Sequence, residues 1–244
     1  MEHNSLFFDA IIQGNLEEVK SHLKKGQDIN ETLANGSTGL ILAAQHNHEE
    51  IVDVLLAKKA DPTLATKTGG TALNRAAEHG NLDMIQKLHK AGAVPGLLAL
   101  VMAAREGHLS VVEWCIKQGV DVNGQLPWGF TALMMAARDG RQDVVKCLLA
   151  HGANPKLKNK DDESALSLAI ENDEYDVADI LRQAGVDYSK PKPKSPMPPT
   201  DDDDDEDESS EDDIPDEVDL SDEEEDVTQK DEEEVDLGRD KEED

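Results

Sequence analysis

The segment Phe130–Asn154, FTALMMAARDGRQDVVKCLLAHGAN, decides how the rest of the chain is read. A short apolar run with a small-residue face ends at Asp139–Gly140, and a second run follows with the pairs Val144/Val145 and Leu148/Leu149. Pairs at i, i+1, i+4 and i+5 put one apolar stripe along a helix, so the segment predicts two short helices joined by a glycine turn. The pattern recurs upstream as STGLILAAQHNHEEIVDVLLAKKAD (Ser37–Asp61) and GTALNRAAEHGNLDMIQKLHKAGA (Gly70–Ala93). An alanine marks each copy, at Ala10, Ala43, Ala76, Ala103, Ala136 and Ala169, with spacings of 33, 33, 27, 33 and 33 residues. A small or turn-forming residue follows each in phase: Gly14, Asn47, Gly80, Gly107, Gly140 and Asp173.

One helical pair cannot bury its stripe alone, so such units must stack into a solenoid. The end units are more polar (LEEVKSHLKKG and ENDEYDVADILRQAG), as caps require. On these motifs residues 1–189 resemble the ankyrin-repeat family. The resemblance implies an all-α fold, a helix-turn-helix solenoid with short β-hairpin fingers between units. The expected units are 1–32, 33–65, 66–94, 95–125, 126–158 and 159–189.

The apolar run Leu97–Ala104, behind Pro95–Gly96, is then the buried first helix of unit four. It is too short to span a membrane, which takes about 20 apolar residues. The 27-residue spacing means that six residues are missing between Val94 and Pro95. In the family that stretch forms the projecting finger, so a notch is expected in the fingertip row between units three and four.

The family implies partners across the fingertips and the concave face of the first helices. The residues after the alanine pairs, Gln45, Glu78, Arg105 and Arg138, are expected on that face, with Ile12 and Glu171 in the caps. Arg105 and Arg138 offer a mildly basic spot for an acidic group; flanked by Glu106 and Asp139, they read equally as a self-paired charge mixture. In the finger GQLPWGFTAL, Trp128 and Phe130 flank Gly129 at a loop tip, where exposed aromatics often anchor partners. The alternative is that one of them folds into space left by the missing finger. Trp114 lies in a second-helix stripe and is expected in the core. Lys156, Lys158 and Lys160 form an alternating basic finger, either a solvated turn or a dock for the protein's own acidic stretch.

The chain carries 24 Lys+Arg against 54 Asp+Glu. Residues 201–244 hold 28 of the acids. The Pro/Lys-rich stretch 190–200 reads as a spacer and 201–244 as a disordered acidic tail with a PEST-like composition. Ser209, Ser210 and Ser221 each precede an acid by three residues and are candidate phosphorylation sites. VDLSDEEE (Val218–Glu225) resembles a SUMO-interacting strand, or is a charge run with chance aliphatics.

Cys115 and Cys147 lie in apolar helical patterns and read as reduced thiols rather than a disulfide. The N-terminus lacks a basic start, so no signal peptide is expected. No nucleophile elbow, phosphate loop or four-ligand metal pattern appears, so neither an enzyme nor a cofactor is expected. The implied function is a monomeric protein-binding module, cytoplasmic with nuclear entry left open, without membrane or direct nucleic-acid binding. Its partner would have a basic surface, as in an escort or chaperone whose tail screens the client's charge. The alternatives are a cytoplasmic transcription-factor inhibitor resembling the inhibitor-of-NF-κB family, or a scaffold autoinhibited by its tail.

Overall fold

A computed structural model describes residues 2–185, with side chains from Leu6 onward. The spacer 190–200 and the tail 201–244, with Ser209, Ser210 and Ser221, lie outside the described residues. The described chain forms twelve helices in six consecutive pairs: α1 (Glu2–Ile12) with α2 (Leu16–Lys24), α3 (Gly39–Gln45) with α4 (Glu49–Ala57), and α5 (Ala72–Glu78) with α6 (Leu82–Ala91). The later pairs are α7 (Leu97–Glu106) with α8 (Leu109–Lys117), α9 (Ala132–Arg138) with α10 (Gln142–Ala150), and α11 (Ala165–Glu171) with α12 (Tyr175–Gln183).

Odd-numbered helices stack on one another as an inner layer, and even-numbered helices form the outer layer. The phased alanines Ala43, Ala76, Ala103, Ala136 and Ala169 have no exposed surface, which lets neighbouring inner helices approach closely. Between the layers lie Ile51, Leu55, Ile85, Leu88, Val111, Val112, Val145 and Leu148, all fully or almost fully buried. Each such side chain contributes about 1.5–3 kcal/mol by leaving water, which is why units that cannot fold singly are stable when stacked.

Local signals start the inner helices. Thr38, Thr71, Thr131 and Ser164 sit at N-cap positions of α3, α5, α9 and α11 and accept the backbone N–H three residues on. Unit four breaks this rule: Leu98 stands where the capping hydroxyl would be, and α7 starts earlier, capped by Gly96. With 10 residues against 7 for its neighbours, α7 gains Leu97 and Leu98 at the end where the finger is absent and Glu106 at the other.

The joint between units three and four is also unusual on the outer side. Helix α4 packs on α6, α8 on α10, and α10 on α12, whereas the α6 and α8 backbones stand further apart. His89 of α6 and Trp114 of α8 span that wider space, with ring centroids 5.4 Å apart in an edge-to-face arrangement. Trp114 is half-buried against the core, and Cys115 and Cys147 are free thiols.

Candidate partner interface

Four fingers project between units, each built on the same hydrogen bonds. At its root an Asp or Asn carboxyl or amide oxygen accepts the N–H two residues on: Asp28 from Asn30, Asp61 from Thr63, Asp121 from Asn123, and Asn154 from Lys156. At its tip Leu33 donates to Ser37, Thr66 to Gly70, Leu126 to Phe130, and Asn159 to Glu163. The fingers are simpler than full hairpins. Among the described residues their pairing reduces to single antiparallel bridges, Thr32 to Thr38, Ala65 to Thr71 and Lys158 to Ser164.

Neighbouring fingers are tied in two places. Lys67 N–H donates to the Asn35 carbonyl at 2.9 Å, and Lys160 N–H to the Trp128 carbonyl at 3.0 Å. Near the roots, Asp61 N–H reaches Asn30 Oδ1 at 2.9 Å and Asn154 N–H reaches Asn123 Oδ1 at 2.7 Å. The row is therefore two tied pairs, with a gap between Thr66–Gly70 and Gln125–Phe130.

Glycine packing locates the gap independently. A Cβ on Gly36 would lie 3.1 Å from Lys67 N, and one on Gly129 would lie 2.9 Å from Asn159 Cα, because the next finger presses against each. A Cβ on the equivalent Gly69 would meet nothing within 4 Å. Val94 occupies the phase of Asp28, Asp61, Asp121 and Asn154, cannot make their turn, and is 80% exposed.

Trp128 stands at the tip of the finger beyond the gap, 56% exposed. Its ring carries the Lys160 ammonium 4.7 Å from the centroid. Phe130, expected beside it as a second exposed aromatic, is instead 7% exposed and part of the core. It holds the same phase as Ser37, Gly70 and Leu97, one residue before the cap, where the chain turns inward. Leu97 fills some of the missing finger's room, packing against Gly124.

The concave charges are largely self-satisfied. Arg105 meets Glu106 at 3.0 Å and Glu78 at 3.7 Å, and Arg138 meets Asp139 at 3.1 Å; the two arginine side chains are only 14% and 11% exposed. The mixed-charge reading fits this geometry better than a basic spot. Glu78 also pairs with Arg75, a buried α5 arginine that sequence reasoning passed over. The signal was available, since Asn74–Arg75 replaces the apolar pairs Ile41–Leu42 and Met134–Met135. Gln45 is half-buried, and its Oε1 has no hydrogen-bond partner.

A row of side-chain donors ties each inner helix end to the next unit. His48 Nε2, His108 Nε2 and Arg141 Nε, which share one phase, donate to the Ile12, Glu78 and Arg105 carbonyls; in unit three that phase holds Asn81, and His79, two residues earlier, donates to the Gln45 carbonyl instead. In unit six the phase holds Glu174, an acceptor, whose carboxylate lies against Gly140. These histidines are thus structural, and among the described residues no group of three His, Cys, Asp or Glu could hold a metal ion. No described helix is long and apolar enough to cross a membrane.

Residues 7–97 and 100–192 match the family described as ankyrin repeats (3 copies). The chain belongs to the ankyrin-repeat family, a fold whose members serve as protein–protein interaction modules and are typically non-enzymatic. Among solved structures it is similar to a chain of the complex between a predatory endopeptidase from Bdellovibrio bacteriovorus and an immunity protein. That match has 30% identity and a TM-score of 0.66, covering 73% of this chain and 97% of the other. The ankyrin repeat domain of human ASB11 shares the fold at 24% identity and TM-score 0.68, covering 75% of this chain and 85% of that one. Human NF-kappa-B inhibitor alpha is 32% identical over 102 residues, 37% of this chain and 32% of the inhibitor. Mouse inactive serine/threonine-protein kinase TEX14 is 36% identical over 80 residues, 33% of this chain and 6% of the kinase. The chain thus spans a small part of these curated relatives.

Proposed function

We propose that the solenoid selects a protein partner through its fingertips and that the acidic stretch 201–244 screens a basic surface on that partner, as an escort for a basic client would. The observation that carries the reading is Trp128, a large amphipathic ring held at a fingertip by Lys160 and left more than half exposed. Exposed tryptophan is the residue type most enriched among binding hot spots. The concave arginines contribute little, because their charge is already matched by Glu78, Glu106 and Asp139.

Similarity to NF-kappa-B inhibitor alpha and to a chain from an immunity-protein complex favours a second reading, a stoichiometric inhibitor that occludes a protein. The two separate on salt. Comparing the full chain with a 1–189 truncation, an escort binds basic clients more tightly with the acidic stretch, and the advantage falls as salt rises. Equal binding by both forms, insensitive to salt, would remove the escort reading and leave the inhibitor.

A further inference from the structure

We infer that the notch between units three and four is a docking slot for a carboxylate-bearing turn of a partner protein, which takes the place of the missing finger. This rests on the chain being a protein-binding solenoid and not on the client being basic. The slot has a defined floor and two defined walls. Its floor is the linker Gly92–Gly96, where Val94 is 80% exposed and neither Gly92 nor Gly96 has another atom within 4 Å of an added Cβ. One wall is Thr66–Gly70, the other Gln125–Pro127.

The hydrogen-bonding pattern of the two tied finger pairs specifies the occupant. In each pair a tip N–H of the later finger donates to a tip carbonyl of the earlier one, Lys67 to Asn35 and Lys160 to Trp128. At the notch the equivalent carbonyl belongs to Thr68 and faces no further finger. On the opposite wall the residue equivalent to Lys67 and Lys160 is Pro127, which has no N–H to give. An incoming turn must therefore donate one backbone N–H to Thr68 and need not accept one from residue 127. Gly69 leaves room for it to approach as closely as Thr66 approaches Gly36. Peptides that extend an open edge in this way take affinity from main-chain bonds and specificity from side chains.

Charge decides the side chain. Residues 64–71, 91–98 and 123–131 contain one charged residue, Lys67, and no acid. Lys67 is exposed, and Lys160 lies just beyond at Trp128. The root acids of the two walls, Asp61 and Asp121, accept the Thr63 and Asn123 N–H groups. With both root acids already engaged, the exposed Lys67 is the charge at the tips, so a carboxylate on the docked turn is favoured there and a lysine is disfavoured.

The test uses the full chain and a capped peptide, DPTLATETGGT, which copies finger residues 61–71 with Lys67→Glu. Backbone NMR shifts are expected at Thr68, Gly69, Val94 and Gln125 with a millimolar Kd, weakening at least threefold between low and physiological salt. The parent peptide with lysine should bind at least threefold more weakly. A variant with six residues inserted between Val94 and Pro95, restoring the 33-residue spacing, should fold and lose the shifts. Absence of shifts at these residues, shifts that persist in the insertion variant, or equal binding of the two peptides would overturn the slot. Equivalent shifts on concentrating the protein alone, or with a peptide of residues 217–225, would assign the notch to a second copy or to the chain's own acidic segment, and so overturn the partner assignment. Because Trp128 is untouched throughout, failure here is distinct from failure of the fingertip reading.

Discussion

Lys160 holds Trp128 twice: its backbone N–H donates to the Trp128 carbonyl at 3.0 Å, and its ammonium lies 4.7 Å from the centre of the indole ring. One residue thus fixes both the main chain and the side chain of the most exposed aromatic at the fingertips. A cation over an exposed ring is worth about 0.5–1 kcal/mol. A double-mutant cycle of Trp128→Ala and Lys160→Ala, read by urea unfolding, should return a coupling of that size. Additive effects would mean that the two side chains do not hold each other in solution.

The finger row makes a sharper prediction about two glycines with the same backbone angle. Gly69 and Gly129 both have φ of 87°, so alanine at either costs about 1–2 kcal/mol for the left-handed conformation. Only at Gly129 does the new methyl also meet the next finger, 2.9 Å from Asn159 Cα, which adds about 1–3 kcal/mol of overpacking. Chemical denaturation should rank Gly129→Ala well below Gly69→Ala. Equal losses would mean that the finger pair closes less tightly than described.

Glu174 holds the phase from which His48, His108 and Arg141 each donate to the preceding unit. Glu174→His should let unit six donate to the Arg138 carbonyl, as His108 does to Glu78. One net hydrogen bond is worth about 0.5–1.5 kcal/mol, or roughly 1–6 °C in melting temperature for a domain of this size. A scan showing an unchanged or lower Tm would show that the last joint is satisfied in another way.

The thiols differ in reactivity for a physical reason. Burial pushes the Cys115 thiol up to about 12, while Cys147 is raised by partial burial and then by the Glu113 charge. At pH 8 a thiol reagent should modify Cys147 slowly and Cys115 only after unfolding. The sign for stability follows, since the folded chain holds the Cys115 proton more tightly than the unfolded one. Its contribution is intact below the ordinary thiol value of 9.0 and is lost as pH rises toward about 12. Fast labelling of Cys115 in the native protein would contradict the packing of α8.

Much of this was legible in the sequence because it depends on period. Six phased alanines mark the units, and one 27-residue spacing marks the missing finger; Val94, standing where the other units have Asp or Asn, confirms the site. Features that depend on side-chain direction between units were not legible. Phe130 looked like a partner of Trp128 because both flank Gly129, and in a straight strand residues two apart share a face; Gly129, with φ of 87°, turns the chain between them, so Trp128 stays outside and Phe130 enters the core. The Lys160–Trp128 contact joins residues one finger apart, and the His89–Trp114 pair fills a spacing set by the absent finger. Neither leaves a periodic trace. Arg105 and Arg138 were placed on the right helices, but the distances to Glu78, Glu106 and Asp139 decide that they are paired.

The working surface is best tested by what the molecule retains. Full chain and Trp128→Ala, immobilised at equal density, would be exposed to the same cell extract at about 0.15 M salt, with the isoelectric points of retained proteins compared by quantitative mass spectrometry. The expected result is a small set of basic proteins on the full chain, depleted at least tenfold by Trp128→Ala while the variant's melting temperature is unchanged. The same set retained by both, or a set without basic proteins, would contradict a fingertip anchor working with an acidic screen.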